Sequence, residues 1–296
     1  RGLVGSEMCI RDRLSRYQST NARQNIDSLF SIKYVMLKKY QNNIPTYFKK
    51  VKSSGQYDIY ENQLNLPSVK VTNNLYNSQS LKTPIDREHA MLKGAIVDSN
   101  GKDFNSQSKN LLKHARITTK NIKSKGNNQL EVKNNMGTVN IHIPKKIRKQ
   151  YQDFYITLYI KRGNPDSNYT VNVNNYFNNR LYNNSVYKTG INTQLYRTQP
   201  DKNGNISIKL SPNGGFKFKL LNLSGENYKT LKTAHHNANF NMDYNDIKNG
   251  VKVNLGQHSK GLATINIPYR AGMRAYIDGR QVNIHKAVSY THLTLP

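Results

Sequence analysis

Eight residues, 154–161, constrain this chain more than any others. Phe154, Ile156, Leu158 and Ile160 alternate with Tyr155, Thr157, Tyr159 and Lys161. A period of two gathers the apolar side chains on one face of a strand, whereas a helix would scatter them. The same alternation runs through Val139, Ile141 and Ile143, through Val251, Val253 and Leu255, and through Ala263, Ile265 and Ile267. Turn-forming clusters punctuate these runs: Gly163-Asn164-Pro165-Asp166, residues 201–205 and Asn213-Gly214-Gly215. Within residues 276–282, Asp278-Gly279 marks a type I′ hairpin. The expected fold is mainly β, with antiparallel β-sandwich-like domains and a small α+β part at the N-terminal side.

That α+β part spans residues 14–98. Asn21-Ala22-Arg23-Gln24 reads as a helix start with Asn21 as cap and Gln24 reaching back, after which Ile26, Leu29 and Phe30 share a helical face. Strands are expected at 31–38, on both sides of a Ser53-Ser54-Gly55 turn, and at 68–72. Thr83-Pro84-Ile85-Asp86 is a second helix start, with Thr83 as cap and Pro84 at the first helical position; Gly94 stops it. Residues 99–135 are polar and read as a loop or linker. Residues 136–226 form a β-sandwich domain, and 227–287 a second, truncated β region, whose pattern breaks off where another strand is expected. The two ends, 1–13 and 288–296, resemble translated sequencing adaptor. They are set aside as non-native tails, expected to be unpacked. Cys9, the one cysteine, lies in the first of these, which excludes disulfides and cysteine-based metal sites from the remainder.

Lys and Arg number 45 against 17 Asp and Glu, a net charge of +28. The basic residues are spread along the whole chain. A polyanionic partner is expected: anionic lipid head groups or a teichoic-type cell-envelope polymer. Charge alone also fits nucleic acid, but no nucleic-acid motif is present and none is expected as partner. No run approaches the roughly 18 apolar residues needed to cross a bilayer.

No catalytic, cofactor or metal site is expected. His235-His236 are neighbours; placed on a strand they point to opposite faces and cannot share a metal. His114, His142, His258 and His285 lack ligand-spaced partners. Asp86 and Glu88 are explained by the dipole of a helix first turn, Asp243 and Asp246 as turn formers. There is no serine nucleophile motif or phosphate loop. Substrate-binding residues stay unknown. One possibility is sugar or phosphate binding by Tyr155, Tyr159 and Lys161 on one strand face, or by Arg270 and Arg274 around Gly272.

Three stretches resemble the YfhO family of bacterial membrane proteins. Residues 27–36, DSLFSIKYVM, are similar to the family's segment in which a short helix enters a "VKY" strand. Residues 57–72, YDIYENQLNLPSVKVT, are similar to its "IYEN…LPLGFV" run. Residues 261–286, GLATINIPYRAGMRAYIDGRQVNIHK, resemble its "L…IPYDKGW…VDGK" segment, with Met273 where the family usually has Trp. The resemblance implies a polytopic parent akin to the GT-C glycosyltransferases. Such a parent moves a sugar from a polyprenyl-phosphate donor to an envelope polymer such as lipoteichoic acid. It places this chain on the extracytoplasmic side of a Gram-positive cell membrane, attached through N-terminal helices outside the sequence, and itself non-catalytic. The competing expectation is a standalone secreted or wall-associated β-sandwich that binds carbohydrate or polyanion.

Overall fold

The computed structural model describes residues 21–98, 100–164, 168–174, 176–180, 192–242, 244–255, 261–267, 271–286 and 291–295. The chain starts with α1 (Gln24–Leu29), β1 (Tyr34–Lys38), β2 (Phe48–Ser54) and β3 (Tyr57–Asn62). Next come β4 (Val69–Thr72), β5 (Leu75–Asn77), α2 (Pro84–Lys93) and β6 (Ala95–Val97). A second stretch holds β7 (Arg116–Lys120), β8 (Ile122–Gly126), β9 (Gln129–Val132), β10 (Gly137–His142), α3 (Lys145–Arg148), β11 (Asp153–Arg162), β12 (Tyr169–Val173), β13 (Tyr176–Arg180), β14 (Thr193–Thr198), β15 (Asn205–Ser211) and β16 (Gly214–Glu226). The last stretch holds α4 (Lys229–His236), β17 (Tyr244–Ile247), β18 (Gly250–Val253), β19 (Gly261–Ile265), β20 (Ala275–Ile277), β21 (Arg280–Val282), β22 (Ile284–Lys286) and β23 (Thr291–Leu295).

Two compact units result. One holds residues 109–227 together with Asn21 and Ala22; the other joins residues 23–108 to the chain after 227. The first is an antiparallel sandwich of two five-stranded sheets, ordered β13-β12-β15-β10-β7 and β14-β11-β16-β9-β8. The alternating apolar positions of both sheets meet in one core. Val139 and Ile141 of β10, Val171 and Val173 of β12, and Ile206, Ile208 and Leu210 of β15 join Phe154, Ile156, Leu158 and Ile160 of β11. Burying each such side chain stabilises by about 1.5–3 kcal/mol. A register shift at Thr157/Leu158 interrupts the pairing of β11 with the central strand β16. At residues 201–205 the expected turn forms, with the Asp201 carboxylate accepting from the amides of Asn203 and Asn205 at 2.9 and 2.8 Å. Those amide bonds, led by that of Asn205, hold the Asp201 carboxyl below its ordinary range.

The expected linker, 99–135, instead supplies β7, β8 and β9 of the sandwich. Every residue of β7 is exposed, as is almost all of β8; both are sheet edges. Edge strands exposed in this way carry no apolar alternation, and charge on them discourages mis-pairing. Asn21 does not cap the first helix. That helix has Arg23 at its N-cap and no side-chain cap bond. Asn21 instead accepts from the Tyr176 hydroxyl at 2.6 Å and donates to the Leu195 carbonyl at 2.9 Å, inside the sandwich unit.

In the second unit the outer stretches of the chain are intertwined rather than separate. β4 pairs with β19 in the sheet β22-β23-β19-β4, Val69 opposite Ile265 and Lys70 opposite Thr264. Contacts 190–196 residues apart leave no trace in local pattern, so residues 14–98 and 227–287 read as different domains. The remaining sheets are β1-β3-β2 and the pairs β5-β6, β17-β18 and β20-β21. β20 and β21 turn at Asp278 (φ 47°) and Gly279 (φ 80°), as the sequence predicts. Residues 291–295, expected to be unpacked, form β23 between β22 and β19. THLTL has the period-two pattern of a strand, and an open edge such as that of β19 is a ready template for one. The expectation for residues 1–13 lies outside the described residues.

Candidate functional site

The second unit contains a cleft of about 720 Å³, within the range of small-ligand sites. Strand β4, the C-terminal end of α2 and one face of α4 line it, with Leu66, Val71, Met91, Ile96 and Met242 among its apolar groups and Thr233, Asn237 and Thr264 among its polar ones. Lys70 projects into it. Its ammonium donates to the carbonyls of Met91 (2.5 Å) and Gly94 (2.8 Å). These carbonyls end α2, where the helix dipole is negative and acceptors lack intrahelical partners. Burial pushes the Lys70 ammonium down to about 8.

The local sequence explains this placement. α2 starts on a capping box in which the Thr83 hydroxyl accepts from the Asp86 amide and the Asp86 carboxylate from the Thr83 amide, each at 3.1 Å. It stops at Gly94, where a Cβ would stand 2.2 Å from the Asn74 carbonyl oxygen. Only glycine allows this approach, and it delivers the terminal carbonyls to Lys70. Nothing in the sequence singles out Lys70: between Val69 and Val71 it reads as an outward residue on an alternating strand. A lysine in a short strand near a glycine-stopped helix is the available signal.

The residues weighed from sequence are dispersed. Tyr155 is 1% exposed and Tyr159 half-buried, leaving Lys161 alone as an exposed group on that face. The sugar-stacking face of β11 therefore does not exist as expected, because both faces of the strand are covered at its start. Arg274 is exposed; Arg270 lies outside the described residues. His235 and His236 end helix α4 rather than lying on a strand, and His235 Nδ1 is 2.7 Å from the Asn65 carbonyl. Consecutive helical residues are about 100° apart, so the pair still faces two directions. His114 ends a 3₁₀ turn and His142 Nδ1 contacts Asn205 at 3.1 Å. His258, Asp243 and the side chain of His285 lie outside the description. Asp246 is in strand β17, not in a turn.

Asp86 sits in the first turn of α2 as expected, whereas Glu88, two residues on, lies just past that turn; both are buried. It accepts from Arg23 Nη1 at 2.7 Å and from Asn25 at 3.0 Å. A second buried network surrounds Gln24. Its amide donates to Ser28 and Asn62, and its carbonyl accepts from the Tyr47 amide. These groups tie α1 to α2 and to β3; none faces the Lys70 cleft. Among the described residues no three His, Cys, Asp or Glu side chains come together as metal ligands.

The sequence matches the family model described as bacterial membrane protein YfhO over residues 5–293. The chain belongs to the YfhO family. A relative from Bacillus subtilis (strain 168), the uncharacterized protein YfhO, is 35% identical over 284 residues. That alignment covers 94% of this chain and 32% of the relative, so the chain spans about a third of the relative's length. Among the described residues no helix is long and apolar enough to cross a membrane. The YfhO-like chain also has weak likeness to the binding domain of botulinum neurotoxin DC in complex with rat synaptotagmin II, with TM-score 0.23, 11% identity, and coverage of 61% of this chain and 73% of that one. For the serotype C1 binding domain the TM-score is 0.22 and the identity 7%, with coverage of 62% and 74%. At that level neither fold nor ligand transfers.

Proposed function

We propose that this chain is an extracytoplasmic, β-rich part of a polytopic YfhO-type membrane protein. In that protein it supports transfer of a sugar from a polyprenyl-phosphate donor to an envelope polymer such as lipoteichoic acid. The family match over residues 5–293 carries the reading. Two features support it. The sandwich and the second unit contain no spanning helix among the described residues. The net charge of +28 suits work beside anionic lipid or polymer. The role is accessory: the Lys70 cleft has the volume of a ligand site, no His, Asp or Glu lines it among the described residues, and Lys70 itself is engaged with the end of α2.

The full-length protein in its own cells provides the test. A membrane-impermeant amine reagent is expected to label lysines of the sandwich, such as Lys161 and Lys209, in intact cells. Labelling only after lysis rejects the extracytoplasmic placement. Deleting the gene is expected to lower the sugar content of lipoteichoic acid; an unchanged polymer rejects the sugar-transfer role.

A further inference from the structure

We infer that the outward face of the sheet β1-β3-β2 is a docking surface for an anionic phospholipid bilayer. The register assigns its two faces. Tyr34, Met36 and Lys38 of β1 stand opposite Glu61, Ile59 and Tyr57 of β3, which stand opposite Lys49, Lys52 and Ser54 of β2. The other face carries Phe48, Asp58 and Asn62, all buried, and points inward. The outward face holds large apolar or aromatic groups in water, Met36 at 64% and Tyr34 at 52% exposed; beside it, Tyr40 just beyond β1 is 76% and Val51, unpaired at the β2 bulge, 52% exposed.

Lysines surround these groups. Lys38, Lys49 and Lys52 lie on the face, with Lys33 and Lys39 at the ends of β1. The Lys33 ammonium lies 5.5 Å from the ring of Tyr34, and that of Lys38 lies 5.8 Å from the ring of Tyr40. The face has one carboxylate, Glu61, which accepts from the Tyr34 hydroxyl at 3.0 Å. Asp58, on the inward face, is paired with Lys50 at 2.9 Å.

Charge complementarity selects an anion, and the exposed Met36 and Val51 select one with an apolar interior. A glycerol-phosphate or nucleic-acid chain would satisfy the lysines and leave those side chains in water. At a bilayer surface, lysine heads reach phosphates while their stems and the tyrosine rings occupy the headgroup boundary. The inference deepens the placement proposed above. It can fail on vesicles while cell-surface labelling still succeeds, so the two failures are distinguishable.

The test uses the full chain, which has no tryptophan. Tyr40→Trp installs a single indole on the face; Tyr276→Trp, on exposed strand β20, serves as control. With vesicles of equimolar phosphatidylglycerol and phosphatidylcholine, Tyr40→Trp is expected to shift to shorter emission wavelength and be quenched by brominated lipid, with Tyr276→Trp unquenched. Equal quenching at both sites, or none at Tyr40→Trp while the protein sediments with vesicles, overturns the inference in favour of diffuse polycation binding. The double variant Met36→Ser/Val51→Ser is expected to lower vesicle partitioning about tenfold in high salt, where lysine attraction is screened. Unchanged partitioning overturns it. So does a soluble glycerol-phosphate polymer that shifts Tyr40→Trp emission as far as vesicles do.

Discussion

Both units bury ion pairs, Arg197 lying 2.7 Å from Asp153 in the sandwich, but they differ in how far a single apolar core holds them together. The sandwich has one core in which both sheets contribute aliphatic side chains of near-zero exposure. The second unit has two small apolar clusters, one around α1, α2 and α4 and one around Val69, Met242 and Ile265. Between its elements it relies on buried polar groups: Glu88 with Arg23 and Asn25, Gln24 with Asn62 and Ser28, and Lys70 with the end of α2. A sandwich tolerates charge on its outer faces because its stability does not depend on them. A unit built on buried polar partners loses more when one partner is removed than a single contact is worth, because the other is left without compensation.

The sharpest way to break this comparison is Glu88→Ala. It removes the carboxylate that accepts from Arg23 and Asn25, and the cost is expected to be about 3–5 kcal/mol. Hydrogen exchange read peptide by peptide should show faster exchange in α1, α2 and β3, with residues 137–226 unaffected. Acceleration spread evenly over both units means they unfold as one, and the contrast fails. Leu158→Ala probes the other side. Truncating this fully buried side chain is expected to cost about 3 kcal/mol and to accelerate exchange in β10, β11, β15 and β16.

That asymmetry also explains what the sequence reveals. The sandwich core is legible because Val139, Ile141, Phe154, Ile156, Leu158 and Ile160 bury every second side chain. The capping box at Thr83 and the Asp278-Gly279 hairpin are legible because each needs only local chemistry. β7 and β8 are not, since edge strands exposed on both faces need no pattern. The pairing of β4 with β19 and the role of Lys70 are not, since their partners lie 190–196 and more than 20 residues away. Buried polar groups look in sequence like surface ones; Glu88 reads as a solvated helix residue, yet it is buried and accepts from Arg23 and Asn25.

The two ends of α2 sharpen the comparison within the second unit. Thr83→Ala removes the cap at its start and is expected to cost about 1 kcal/mol, read by denaturant unfolding. A loss near that of Glu88→Ala would mean the helix start, rather than the buried ion pair, limits the unit.

At the other end, Lys70 predicts a pH dependence opposite to that of an ordinary lysine salt bridge. Its folded-state value is about 8, below the ordinary 10.5. Between these values the unfolded chain holds more protons than the folded one, so raising the pH favours folding. The limiting slope for one such proton is about 1.4 kcal/mol per pH unit, so the expected gain between about pH 8 and about pH 10 is on the order of 2 kcal/mol. The gain is read as the stability difference between the unsubstituted chain and Lys70→Met, followed from about pH 7 to about pH 10. The difference should be flat below pH 8 and then move in favour of the lysine form. A neutral amine keeps two N–H donors for the two carbonyls, so deprotonation removes the buried charge without breaking either bond. If the difference instead moves against the lysine form as pH rises, the carbonyl field outweighs burial. The ammonium is then the form the cleft was built around.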